Sequence, residues 1–231
     1  MVSKTSLRET VRRHDWTRLR ADLEARPDLL AVRDERGRNW LHLCCGTPGD
    51  AQASIRTADL LLALGLGLEV PAFTEGEWKA TPLWFAVSHG RNRALAEHLL
   101  KLGSTPLYCL FAAVWNEDRE GIRLLLRYGA PVDEDTSPGE TPLLGAVAWS
   151  RFGPAEELLE AGADPDFRTP KGDTALHLML RKGSSIEALR LFARHGARGD
   201  IADARGQTAA AILRRKRDPA FRALADELAA G

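Results

Sequence analysis

The stretch that decides the fold begins Thr141-Pro142-Leu143-Leu144-Gly145-Ala146-Val147. It continues through Ala155-Glu156-Glu157-Leu158-Leu159-Glu160-Ala161-Gly162-Ala163 and ends Asp164-Pro165-Asp166. Thr followed by Pro is a helix-opening pair, because the Thr oxygen accepts an orphan amide of the first turn and Pro at the first helical position sacrifices no hydrogen bond. Gly162 after an apolar helical run marks a left-handed stop that other residues reach only at a cost. Asp-Pro-Asp then supplies turn chemistry. One such passage predicts helix, turn, helix and loop, with Leu143, Leu158 and Leu159 turned to a core.

The same phrase returns along the chain. It reads Thr81-Pro82-Leu83-Trp84-Phe85-Ala86-Val87, Thr174-Ala175-Leu176-His177-Leu178-Met179-Leu180 and, weakly, Thr208-Ala209-Ala210-Ala211-Ile212. Asn39-Trp40-Leu41-His42-Leu43-Cys44-Cys45 and Thr5-Ser6-Leu7 fit the frame, and Leu107-Tyr108-Cys109-Leu110-Phe111-Ala112-Ala113 is a poorer copy. The starts at 5, 39, 81, 107, 141, 174 and 208 are separated by 34, 42, 26, 34, 33 and 34 residues. The two irregular steps together equal 68, twice 34, so an insertion is followed by a matching deletion. A fixed period of this size is the signature of stacked repeats in which each unit buries its apolar face against its neighbours.

With phrase, Leu-Leu-x-x-Gly-Ala stop and Asp-Pro-Asp turn all at this period, the sequence resembles the ankyrin-repeat family over nearly its whole length. The best copies are residues 136–173 and 174–207, while the first and last are degenerate in the manner of capping repeats. The resemblance implies an all-α solenoid of stacked helix–turn–helix units with short hairpin loops, a single domain over residues 1–231. It implies that His42 and His177 are linkers that hydrogen-bond within and between repeats. Leu66–Lys79, with Phe73 and Trp78, reads as an enlarged finger, and the connection at 103–106 has lost its hairpin. Trp40 and Trp84 are expected to be half-buried.

Composition narrows the function. The 231 residues carry 32 Lys+Arg against 32 Asp+Glu, a net charge of zero that denies a nucleic-acid binder its surplus of cations. The longest apolar run, Leu60 to Leu68, is about half of what a bilayer needs, and no membrane association is expected. Three cysteines are too few and too odd in number for a disulfide framework, which suits a cytoplasmic location. The excess of Arg over Lys fits a GC-rich, bacterial coding sequence. Cys44 and Cys45 occupy the small-residue places of their phrase and have no second ligand pair at metal-binding spacing. Gly65-Leu66-Gly67 lacks the Lys of a phosphate loop, there is no nucleophile elbow, and Glu156-Glu157 is read as a solvated helix face. No catalytic residue, metal or cofactor is therefore expected, and Arg214-Arg215-Lys216-Arg217 reads as solvated surface.

What remains is a surface that binds a protein. In ankyrin-like stacks the concave side, made of hairpin tips and the first helix of each unit, is the usual binding face. Carried over position by position, the tips contribute Arg36, Arg38, Trp78, Glu140, Lys171 and Asp173. The seventh and eighth residues after each phrase start are Ser88 and His89, Val114 and Trp115, Ala148 and Trp149, and Arg181 and Lys182. His89, Trp115 and Trp149 thus take equivalent places in three consecutive units, and Trp is enriched at binding hot spots. The expected function is a non-enzymatic module gripping a partner protein in this groove. A narrower version is a bacterial immunity protein that occludes the active site of a toxin or effector.

Overall fold

The polar residue that opens each phrase does what its chemistry dictates. Thr81, Thr141 and Thr208 accept the backbone N–H of Trp84, Leu144 and Ala211 through their hydroxyl oxygens. Ser3 caps the first helix, two residues before the Thr5 at which the repeat frame begins, yet Leu7 still falls on the core face. The computed structural model describes residues 1–75, 78–135 and 139–229, without the side chains of Thr74, Glu75 and Trp78.

The chain divides into two compact units, Met1–Ala112 with Arg127–Ala130, and Ala113–Leu126 with Pro131–Gly231. Unit 1 holds α1 (Lys4–Arg12), α2 (Trp16–Ala25), α3 (Trp40–Cys45), α4 (Ala51–Ala63), α5 (Pro82–Phe85) and α6 (Arg93–Lys101). A π-type turn, Ala86–Gly90, prolongs α5. Here α3 packs on α1 and α5, and α4 packs on α2 and α6, so first helices meet first helices and second helices meet second. The division falls within α7 (Cys109–Trp115), and α8 (Arg119–Arg127) lies mainly in unit 2. Unit 2 continues with α9 (Pro142–Ala148), α10 (Phe152–Glu160), α11 (Ala175–Lys182), α12 (Ile186–Arg194), α13 (Ala209–Arg214) and α14 (Pro219–Glu227). Its pattern is the same: α11 lies against α9 and α13, α12 against α10 and α14.

Small residues set how closely these helices approach. Cys44, Ala86 and Ala146 share the sixth place in the phrase and have no solvent exposure, and Leu41, Leu83, Leu143 and Leu176 share the third place and have none either. Gly129 and Gly162 end α8 and α10 at φ +84 and +88, the left-handed conformation the sequence pattern anticipated.

The enlarged segment departs from an all-helical chain. Its backbone forms β1 (Ala72–Glu75) and β2 (Trp78–Ala80), antiparallel, pairing Ala72 with Ala80 and Glu75 with Trp78. The insertion is tied to the repeats it interrupts. Glu69 accepts the Thr105 N–H at 3.3 Å, in the connection that lost its hairpin, and the Val70 carbonyl accepts His42 Nε2–H at 2.8 Å. Extra chain at one place thus supplies an acceptor to an amide of the shortened connection at the other.

His42 and His177 are buried links between successive repeats. His42 Nδ1 accepts the Asn39 N–H at 3.2 Å, and His177 Nδ1 accepts the Thr174 N–H at the same distance. Their Nε2 atoms reach the carbonyls of Val70 and Gln207, each in the following loop. Trp40, expected half-buried, is buried, because its indole N–H donates to the Leu29 carbonyl at 2.7 Å and draws the ring inward.

Burial holds the His42 imidazole neutral and lowers its pKa to about 4, the bond to Val70 opposing this only in part. The unfolded chain, with a pKa of about 6.5, takes up a proton in the window from 6.5 down to 4 that the folded chain refuses. Acid therefore favours unfolding in that window, with a slope approaching about 1.4 kcal/mol per pH unit for this one group. Urea midpoints measured from pH 7 to pH 4.5 should fall more steeply for the parent chain than for His42→Gln. Equal slopes would show that the imidazole is not held neutral.

Candidate functional site

The turn that follows the first helix of a repeat is left-handed in both units: φ is +47 at Arg91, +56 at Glu117, +58 at Ser150 and +71 at Gly183. Reversing the chain there brings the last residues of each first helix to the surface. In unit 2 these are Trp115 at the end of α7, Trp149 just after α9, and Arg181 and Lys182 at the end of α11.

Trp115 is 56% exposed and Trp149 36%, and their rings meet edge to face with centroids 4.9 Å apart and planes at 85°. That geometry sets the positive edge of one ring against the negative face of the other. Val114, the neighbour expected at the surface, is fully buried, because position seven of this helix turns inward and only position eight emerges. Around the pair lie contacts spaced one repeat apart. Lys182 Nζ donates to the Ala148 carbonyl, a cation at the negative end of α9, and Arg151 pairs with Glu117.

The remaining unit 2 residues singled out from sequence separate into two kinds. Glu140 and Lys171 are exposed loop residues. Asp173 is not a free surface group: its side chain is 6% exposed and takes two hydrogen bonds from Arg181, at 2.6 and 2.7 Å. The guanidinium of Arg181, 53% exposed, is thus fixed beside the last turn of α11.

Unit 1 carries Arg36, Arg38 and His89. The guanidinium carbons of Arg36 and Arg38 lie 5.1 and 5.7 Å from the Phe73 ring centroid. Phe73 in turn stacks on Phe85 at 5.9 Å. His89 packs on Trp84 and Phe85, at 5.3 and 5.4 Å, with Nδ1 2.7 Å from the Ser88 hydroxyl. Burial first, and then the positive charge of Arg38, lower the His89 pKa. His89 and the tryptophan pair fall in different units, so the three residues aligned by repeat position are two features of the chain. The Trp78 side chain lies outside the described residues.

One ionic cluster lies outside the residues that the repeat frame singles out. Glu157, assigned to a solvated face, has a side chain only 2% exposed and is held by Arg119 and Arg123. Burial alone would raise its pKa, but the hydrogen bonds from Arg123 and Arg119 outweigh it and leave it lowered. Arg123 and Glu157 are 34 residues apart, one repeat, and that spacing was the available signal. Among the described residues no group of three or more His, Cys, Asp or Glu side chains could hold a metal, and no helix is long and apolar enough to cross a membrane.

No protein-family model matches the chain. Human Inversin is 37% identical over 90 residues, which is 38% of this chain and 8% of that protein. An ankyrin repeat protein of fowlpox virus, FPV022, is 33% identical over 138 residues, 58% of this chain and 22% of its own length. The chain therefore corresponds to a minor part of either relative. Among solved structures, the ankyrin repeat domain of human ASB11 superposes with a TM-score of 0.73 at 24% identity, over 96% of both chains. That of Bcl-3, a member of the IkappaB protein family, gives 0.75 at 21%, again over 96% of both. An ankyrin repeat domain from Acinetobacter baumannii gives 0.64 at 20%, over 85% of this chain and all of its own. At these identities the superpositions establish the fold.

Hydrogen bonds from Arg181 lower the Asp173 pKa, with burial opposing them. A depressed carboxylate stabilises the fold above its unfolded value of about 3.9, and that contribution is lost as pH falls through the folded value. Asp173→Asn should cost about 1–2 kcal/mol at pH 7 in urea unfolding, and the gap to the parent chain should close toward pH 3. A gap independent of pH would mean that the loss is one of packing.

Proposed function

We propose that this chain, whose fold is that of ankyrin repeat domains, is a non-enzymatic module that grips another protein. The observation that carries this reading is the tryptophan pair of unit 2. Two large aromatic side chains open to water and in contact with each other, with the Lys182 cation held on the carbonyl of the neighbouring Ala148, have the composition of a binding hot spot. A ring already braced by its neighbour loses little freedom when a partner covers it. Arg181, oriented by Asp173, would add direction at the rim of such a contact.

A narrower form of the proposal is a cytoplasmic inhibitor of a toxin or effector, which would block the partner's active site by covering it. Neutralisation is measurable directly: co-expression with the partner should restore growth to cells that the partner alone arrests. Unchanged arrest would remove this narrower form while leaving the module itself in place.

The broader reading is tested with the partner recovered by affinity capture and then purified. Trp115→Ala should weaken its binding by about 2 kcal/mol, roughly 30-fold, while far-UV circular dichroism stays unchanged. Full affinity in a folded Trp115→Ala chain would refute the assignment of this surface, as would loss of the fold itself.

A further inference from the structure

Helix α1 in unit 1 carries Lys4, Arg8 and Arg12 at intervals of one helical turn, and among the described residues none has an ion-pair partner. Like charges four residues apart on one helix repel, so the arrangement is unfavourable unless something negative answers it. Two arginines close by in the chain are compensated: Arg13 pairs with Glu9 at 2.8 Å, and Arg18 pairs with Asp22.

The three cations border a cavity of about 110 Å³. Its apolar lining is Val32, Trp40 and Leu43. One acidic residue, Asp34, also lines it, but that carboxylate is fully engaged. Its Oδ2 takes the Arg38 guanidinium at 2.6 Å, and its Oδ1 takes the backbone N–H groups of Arg36 and Arg38. With Arg38 included, four cations stand against one anion at the cavity wall.

Asn39, also lining the cavity, supplies a second and independent sign. It is 3% exposed, its Oδ1 accepts the His42 N–H at 3.1 Å to start α3 and lies 2.7 Å from His42 Nδ1, and its side-chain nitrogen has no hydrogen-bond partner. In the corresponding place of the sixth repeat, Thr174 serves the same helix start with His177 and leaves no spare donor. Asn here adds a buried N–H2 that lacks an acceptor, beside a surplus of positive charge. The surplus charge calls for an anion, and a small local shift of the Asn39 amide would give that anion a hydrogen-bond donor at the cavity wall.

We propose that this cavity and the α1 stripe bind an acidic, extended peptide segment of a partner protein. Successive cations on α1 are about 6 Å apart along the axis. In an extended peptide, side chains two residues apart point the same way and lie about 6.6–6.8 Å apart. Glutamates or aspartates at alternate positions therefore fall opposite Lys4, Arg8 and Arg12, with one carboxylate entering the cavity toward Asn39. The chain's zero net charge disfavours a nucleic acid as the occupant. The site stands on residues apart from the tryptophan pair, and it draws on the protein-binding reading only in choosing a peptide over a small anion.

The test is a titration of the full chain with an acetylated peptide of alternating glutamate and serine. Inorganic phosphate and a single-stranded oligothymidylate of equal charge serve as the other arms. The peptide should bind at low salt and weaken as salt rises. Arg8→Glu should reduce its affinity by at least tenfold, Asn39→Thr by about threefold, and Lys216→Glu, a cation on unit 2, not at all. Circular dichroism of each variant should match the parent chain. Three results would overturn the proposal: no peptide binding at millimolar concentration, binding indifferent to Arg8→Glu, or tighter binding of phosphate or the oligonucleotide than of the peptide. Because Trp115→Ala leaves every residue of this site untouched, failure here and failure of the unit 2 surface can be told apart.

Discussion

A helix pair of this size has one apolar face and can hide it only against the pairs before and after it. Every other feature answers to that constraint. The Leu positions at the third place of the phrase meet no water, and Cys44, Ala86 and Ala146 are small enough for neighbouring first helices to touch. Polar groups caught at such a contact need partners from the adjacent repeat, which is what the imidazoles of His42 and His177 provide by donating to carbonyls one loop further on. Neutral histidine suits the task, since a single ring accepts from its own helix start and donates outward.

The same nearest-neighbour logic governs charge. The contacts Glu117–Arg151, Arg123–Glu157 and Lys182 with the Ala148 carbonyl all span 34 residues, as does the ring contact between Trp115 and Trp149. A period in the sequence becomes a column in space, and side chains in one column interact whatever their chemistry. Glu157 shows the consequence: two arginines from the preceding repeat's second helix reach it, so a carboxylate that a single amphipathic helix would leave in water is covered. Hydrogen bonds from both guanidinium groups offset the desolvation that this burial imposes.

Insertion and deletion also balance physically. The enlarged segment before α5 carries the carbonyl that His42 needs and the carboxylate that caps the Thr105 amide. Its Phe73 slides under two arginines onto Phe85. A shortened connection leaves the Thr105 amide without a hairpin to bond, and the longer loop supplies an acceptor for it.

The repeat, its caps, its glycine stops and the residues of its core were legible in the amino-acid sequence alone, because helix starts, left-handed stops and apolar spacing are local chemistry that recurs every 34 residues or so. The repeat frame also singled out Trp115, Trp149, Arg181 and Lys182 as equivalent helix-end positions. Which of these groups are open, paired or covered was a matter of tertiary structure. Val114 turns inward while Trp115 does not, Asp173 is consumed by Arg181, Trp40 sinks to reach the Leu29 carbonyl, and Asn39 keeps a donor that nothing answers. Exposure depends on what the next repeat and the intervening loops bring alongside, and no spacing within one repeat contains that information.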